Sequence, residues 1–245
     1  MNKFRELHAG HKKAIAEMAN DPEIRSQAIA LINATSGYKY SYNFTWLGFP
    51  IIQLPQDIVA IQEIIWTTRP KVIVETGVAH GGSLILSASI LELLGGDGQV
   101  VGVDVDIREH NRIEIEKHPL SRRITLIEGS SVDPHIIEQV RDVVNGKQSV
   151  MVTLDSNHTH EHVLEELRLY SPMVTCGCYL VVLDTIVEDM TDDSFHDRPW
   201  GAGNNPKTAV REFLHENNRF AIDKELENRL LLTVAPDGYL RCLKD

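Results

Sequence analysis

Residues 71–83, KVIVETGVAHGGS, constrain this chain most. A continuously apolar run, Val72-Ile73-Val74, ends in an acid, Glu75, and passes glycines at 77, 81 and 82 into a segment of small and apolar residues. An unbroken apolar run of this kind fits a strand covered on both faces, as in a parallel sheet. Gly77, Gly81 and Gly82 let backbone approach a ligand closely, and a helix starting near Gly81 turns its unpaired N–H groups toward that ligand. The segment reads as a strand-turn-helix built to hold a cofactor.

The chemistry of the turn narrows that cofactor. A P-loop needs GxxxxGK[ST], and after Gly77 the chain reads Val78-Ala79-His80-Gly81-Gly82-Ser83, with no lysine to meet a phosphate. A dinucleotide fingerprint needs GxGxxG, and an acid at the strand end repels a pyrophosphate while it can accept from an ammonium. S-adenosylmethionine carries a sulfonium and an amino group and no phosphate, so it suits Glu75 and this turn better than NAD does. Residues 99–106, QVVGVDVD, read as the next parallel strand and end in Asp104, about 27 residues after Gly77, the spacing at which an acid meets ribose hydroxyls. Asp104 is the ribose candidate and Asp106 the second choice. The third strand, in residues 123–133, offers Gly129, Ser130 and Ser131 to an adenine edge, although Gly, Ser and Asp also populate ordinary turns.

From Pro55 the pattern is regular. A helix over 55–68 precedes strands near 71–75, 99–104, 123–128, 150–155 and 178–184, with helical segments between, which predicts a parallel sheet with helices on both faces. The tail differs: residues 220–226, 229–235 and 238–244 read as strands without intervening helices, with Pro236-Asp237-Gly238 as a tight turn. The prediction is an α/β domain over 55–245, with a mostly parallel seven-stranded sheet ending in an antiparallel hairpin. Residues 1–54 form an N-terminal extension. Its first 35 residues have helical composition, and an aromatic stretch over 38–50 fits neither helical nor strand period. That stretch is a candidate lid or acceptor wall, with Tyr42 and Trp46 as its substrate-facing rings, or else a packed loop with structural aromatics.

A net charge of −11 argues against a nucleic-acid substrate, whose affinity rests on Lys and Arg neutralising phosphates. A small molecule or an uncharged glycan fits better. No apolar run of membrane-spanning length and no signal-peptide core appear, which predicts a cytoplasmic protein, and the aromatic N-terminal segment hints at a homo-oligomer. Three cysteines, Cys176, Cys178 and Cys242, are too few for a disulfide framework or a four-ligand zinc site.

Strand four runs into Asp155 and strand five into Asp184, and both strand ends lie at the carboxyl edge of an open sheet, over the cofactor crevice. Paired carboxylates there suggest a divalent cation, and oxygen ligands favour Mg²⁺, which can bind neighbouring substrate hydroxyls and lower the pKa of the reacting one. Helix capping is the plain alternative for Asp155. His158 follows closely enough to accept a hydroxyl proton. His160 and His162 open the next helix, to about Tyr170, as solvated or capping residues. The acidic loop over 185–206 is long enough to be functional. Trp200 offers a flat face to a sugar ring, and Gly201, Gly203, Asn204 and Asn205 are candidates to close over an acceptor.

With these segments assembled, the chain resembles the cephalosporin hydroxylase family. That family is similar to class I methyltransferases and includes sugar O-methyltransferases acting on rhamnosyl groups, close to the macrocin type. The resemblance runs through residues 40–66, 75–91, 102–112, 154–172 and 198–214, in order. It implies a Rossmann-like fold, S-adenosylmethionine at Glu75, Gly77, Gly82, Ser83, Asp104 and Ser130, and a metal at Asp155 and Asp184. The family pattern has a Glu-Asp pair at the end of strand five, where this chain has Leu183-Asp184, so one ligand is missing: magnesium binds more weakly, recruits Glu188 or Asp189, or is absent and leaves His158 and Asp155 as the proton acceptors. The implied activity is S-adenosylmethionine-dependent O-methylation of a sugar or glycosylated small molecule, with Asp155 or His158 as proton acceptor. Its rivals are an iron oxygenase and a non-catalytic cofactor-binding module.

Overall fold

A computed structural model describes residues 3–191, 195 and 197–245. Helices α1 (Lys3–Ala19) and α2 (Pro22–Ser36) open the chain, and Asp21 caps α2 by accepting from the backbone N–H groups of Glu23 and Ile24. The aromatic stretch that showed no period is a short 3₁₀ turn, Tyr40–Asn43, followed by a two-stranded hairpin, β1 (Phe44–Trp46) and β2 (Phe49–Ile51). Leu47 and Gly48 between them both have positive φ, the backbone of a two-residue type I′ connection. Strands of three residues are too short for a period of two to be read from sequence.

The main sheet contains β3 (Val72–Thr76), β4 (Gln99–Asp104), β5 (Ile124–Glu128), β6 (Val150–Leu154), β7 (Tyr179–Val182), β8 (Phe220–Ile222) and β9 (Tyr239–Cys242). Their spatial order is β5-β4-β3-β6-β7-β9-β8. The first five run parallel, and β9 inserts antiparallel between β7 and β8. This is the predicted mostly parallel, Rossmann-like α/β sheet with an antiparallel C-terminal pair. Every residue of β3 and β6 is buried, which explains their unbroken apolar runs.

Alternate strand residues feed two cores. Val72 and Val74 pack with α6 (Pro134–Val144), α7 (His160–Tyr170) and α8 (Pro206–Glu216) on one face. Ile73 packs with α3 (Pro55–Thr68), α4 (Gly82–Leu94), α5 (Glu109–Lys117) and α9 (Lys224–Leu230) on the other. β3 joins β4 on one side and β6 on the other, so the strand order reverses between β3 and β6. A crevice opens there at the carboxyl ends.

The tail departs from expectation. Residues 224–230 are helical, and 229–235 form no strand. Asp223 caps α9 by accepting from the Leu226 N–H, and Lys224 pairs with Glu227 within the helix. The following loop is pinned from far away in sequence. The buried Asp57 carboxylate accepts from the Val234 N–H at 2.9 Å, from the Tyr239 hydroxyl at 2.7 Å and from Thr233 Oγ1. The apolar run Leu230-Leu231-Leu232 imitates a strand only when that tertiary anchor is out of view.

Candidate active site

A cleft of about 640 Å³ lies over the crevice, in the size range of small-molecule sites. One wall is the predicted turn. Gly81 (φ 86) is the N-cap of α4, so the helix starts where the sequence placed it. The glycines have a second reason to be there: a Cβ on Gly77 would lie 2.1 Å from the Asp155 carbonyl oxygen, and one on Gly82 would lie 2.2 Å from that of Pro50. They permit backbone to meet backbone as well as ligand. Gly77, Gly82 and Ser83 line the cleft, whereas Gly81 does not.

Glu75 is 3% exposed and stands behind this surface, accepting a short hydrogen bond from Ser83 Oγ. Burial pushes its carboxyl up to about 7, against the pull of the Ser83 bond. Asp104 lines the cleft and also builds it. One carboxylate oxygen accepts from the N–H groups of Val78 (2.7 Å) and Ala79 (3.3 Å), and the other accepts from the N–H of Asp106 (3.1 Å). The Asn111 amide donates to the Ala79 carbonyl at 2.8 Å and holds the same turn, a contact with no local sequence signal across 32 residues. Ser130 and Ser131 line the far end, while Val105 rather than Asp106 faces the cleft beside Asp104.

The opposite wall brings Asp155, His158 and Asp184 together, with one ligand atom from each lying within 4.8 Å of the others. The sequence pairs the two carboxylates and reserves His158 for proton transfer; the fold adds the imidazole to the same cluster. His158 Nε2 lies 3.3 Å from Asp184 Oδ2. Asp184 has φ 54 and ψ 21, a left-handed conformation costly for most residues and tolerated by Asp, which turns the chain just after β7. Burial first, then the negative charge of Asp184, holds the Asp155 carboxyl well above the usual carboxylate range. A divalent cation among these three groups would relieve that repulsion, so the donor set fits one. It contains one imidazole and two carboxylates, not the two-histidine, one-carboxylate set of non-haem iron oxygenases.

Glu188 and Asp189 do not supply the missing ligand. Glu188 accepts from the Gly203 N–H (2.8 Å), the Asn205 side chain and Arg211 (3.3 Å). Asp189 accepts from Lys207 Nζ at 2.6 Å. These acids fasten the described part of the 185–206 loop onto α8, and residues 192–194 and 196 of that loop lie outside the described residues.

Of the four substrate-facing candidates, only Tyr42 lines the cleft, where it is 52% exposed. Trp46 instead donates from Nε1 to Ser89 Oγ at 3.0 Å and fastens β1 to α4. Asn204 accepts from the His160 N–H at 2.9 Å and donates to the Pro199 carbonyl at 2.8 Å. Asn205, fully buried, caps α8 in a reciprocal box with Thr208. Trp200 packs edge-on against the His158 ring, 4.8 Å between centroids, with the Arg198 guanidinium 5.3 Å from its own ring centre. It braces the imidazole.

His160 is partly exposed but partnered. It bonds Thr208 Oγ1 at 2.8 Å and lies 3.2 Å from Glu212, tying α7 to α8. His162 reaches the cleft, with Nε2 at 3.1 Å from Ser131 Oγ and 3.2 Å from Ser156 Oγ. Ser156 also donates to the fully buried Glu166 at 2.7 Å. The i, i+4 spacing of His162 and Glu166 is the sequence signal that was available for this cluster.

This crevice at a topological switch point, on a sheet of this order, defines a protein with the class I methyltransferase fold. The chain belongs to the rhamnosyl O-methyltransferase/CmcI family, whose model matches residues 38–243. It is 32% identical over 203 residues to the rhamnosyl O-methyltransferase of Mycobacterium tuberculosis, covering 80% of this chain and 77% of that protein. It is 30% identical over 206 residues to that of Mycobacterium leprae, covering 80% and 82%. Among solved structures, CmcI with Mg and SAM aligns at TM-score 0.59 and 22% identity, covering 82% of this chain and 77% of that one. An O-methyltransferase from Bacillus cereus in complex with SAH aligns at TM-score 0.51 and 13% identity, covering 85% and 88%. These two likenesses speak for the fold.

Proposed function

We propose that the protein is an S-adenosylmethionine-dependent O-methyltransferase acting on a hydroxyl of a sugar or glycosylated small molecule. The observation that carries this reading is the charge of the cleft: Asp104, Asp155 and Asp184 line it, and among the described residues no lysine or arginine does. Such a lining repels phosphates and welcomes a cationic sulfonium and a neutral glycan. Family membership supplies the reaction class and the rhamnosyl relatives the acceptor class.

S-adenosylmethionine, when bound, supplies a methyl group on positively charged sulfur. The turn around Gly77, Gly82 and Ser83, with Glu75 behind it, would hold the amino-acid end; Asp104 would meet the ribose, and Ser130 the base. Asp155, His158 and Asp184 would hold Mg²⁺, whose charge favours the alkoxide form of a nearby hydroxyl. Asp155, or His158 steadied by Trp200, would accept the acceptor proton. The rest of catalysis is positioning, which the two fixed walls provide. Residues 1–54 act as a lid or as subunit contacts.

Titration calorimetry of metal-stripped protein with S-adenosylmethionine and S-adenosylhomocysteine, with and without Mg²⁺, tests the cofactor. Micromolar binding supports the reading. Absence of binding in both conditions overturns it. Methyl transfer to a panel of rhamnosides and other deoxysugar glycosides then tests the acceptor class.

A further inference from the structure

Three buried side-chain atoms have no hydrogen-bond partner among the described residues: Gln53 Oε1, Thr76 Oγ1 and Glu166 Oε2. Burying a polar group unpaired is destabilising, so each asks for a reason. Only Gln53 belongs to a residue that lines the cleft. It lies between β2 and α3, is 4% exposed, and has apolar neighbours in sequence, Ile51, Ile52 and Leu54. Val234 lines the same cleft and is tied through Asp57 to α3, the helix that begins two residues after Gln53.

We infer that Gln53 is a specificity-determining residue whose amide hydrogen-bonds a hydroxyl of the acceptor. The inference rests on the sugar-methyltransferase reading above. The chemistry of the amide selects the ligand group. A half-turn of its terminal torsion exchanges carbonyl and NH₂, and a hydroxyl, which both donates and accepts, satisfies either arrangement. An ammonium satisfies only the carbonyl end and would find stronger partners in Asp155 and Asp184. A carboxylate on the acceptor, next to the reacting hydroxyl, would be repelled by the same acids. A buried amide left unpaired by the wrong ligand also rejects that ligand strongly, which is how such sites discriminate hydroxyl from hydrogen.

The test pairs Gln53→Met, which keeps length and removes both polar ends, with Gln53→Leu as a second apolar variant. Both are assayed with S-adenosylmethionine, an accepted glycoside and its mono-deoxy analogues. In the wild type, one deoxy position lowers kcat/KM by about 100-fold or more. In both variants the parent glycoside loses activity, the penalty at that position collapses to within about 3-fold, and the Kd for S-adenosylmethionine is unchanged. Because a buried amide with an unpaired carbonyl oxygen has been replaced by an apolar group, Tm of Gln53→Met rises by roughly 2–4 °C. Weaker cofactor binding with an intact deoxy penalty overturns the inference and leaves the proposed function standing. Failure of wild-type protein to methylate any glycoside overturns the reading on which it rests.

Discussion

The two walls of the cleft are built in different ways. The β3–α4 wall is made by backbone: glycines that clear carbonyl oxygens, helix N–H groups, and an Asp104 carboxylate that accepts from the Val78 and Ala79 amides of the turn and from the Asp106 amide after its own strand. The β6–β7 wall is made by side chains, Asp155, His158 and Asp184, whose two carboxylates repel each other and whose supports, Trp200 and the Glu188 latch, come from the loop that follows Asp184. The first wall suits binding, because its groups are fixed and mutually satisfied. The second suits chemistry, because its groups are held in a state that a cation, a proton or an acceptor would relieve. Mutations should therefore separate affinity from turnover according to the wall they strike.

The sharpest break of that comparison is Asp155→Asn. Turnover falls by about 10²–10⁴-fold, the range of a lost acid–base or metal-holding group, while the Kd for S-adenosylmethionine stays within about 3-fold. Parallel stopped-flow and calorimetric titrations distinguish the two, and an equal loss in both would move Asp155 to the binding wall. Next comes the cation. Chelation of divalent metal lowers activity by about 10-fold or more and added Mg²⁺ restores it, whereas Asp184→Ala no longer responds to either treatment. Activity of the wild type that is indifferent to chelator would leave proton acceptance to Asp155 and His158 alone.

A third prediction concerns pH and the binding wall. The folded carboxyl of Glu75 lies at about 7, above its ordinary 4.5, because it is buried. A folded pKa raised above the unfolded one contributes stability that is complete below the unfolded value and is lost as pH rises through the folded value. The shift corresponds to about 3 kcal/mol between pH 4 and pH 8. Glu75→Gln should flatten that part of a Tm-against-pH profile. A cationic ligand at the turn favours ionised Glu75, so S-adenosylmethionine binds more tightly as pH rises from 6 to 8. Below 7 it expels a proton, which calorimetry in buffers of different ionisation enthalpy reads directly. A pH-independent Kd would place the ammonium elsewhere.

How much of each wall the sequence disclosed follows from the same difference. The strand, the turn, the helix start at Gly81 and Asp104 form local signals within residues 71–106, and the parallel sheet follows from repeats of the same pattern. Asp155 and Asp184 were legible because strand ends in such a sheet share one edge. What supports them was not. His158 joins the acids through the left-handed turn at Asp184, and the tail misreads as strand because Asp57 lies some 176 residues before the Thr233 it holds. Gln53 carries no pattern at all; only its unpaired burial marks it.

Trp46 gives the smallest effect and tests whether an aromatic near the cleft belongs to it. Its position in a stretch with Tyr42 made it a substrate-facing candidate, yet its indole N–H is committed to Ser89 and its ring packs against the core beneath α4. Trp46→Phe removes one part-buried hydrogen bond and keeps an aromatic ring, so it costs about 1 kcal/mol and roughly 2–4 °C in Tm. Acceptor KM and kcat remain at wild-type values. Tyr42→Ala, by contrast, raises acceptor KM without lowering Tm comparably, because a half-exposed ring at the cleft mouth contributes little to the core. If Trp46→Phe raised acceptor KM at unchanged Tm, the hairpin would belong to the substrate wall, and the division between a packing tryptophan and a binding tyrosine would fail.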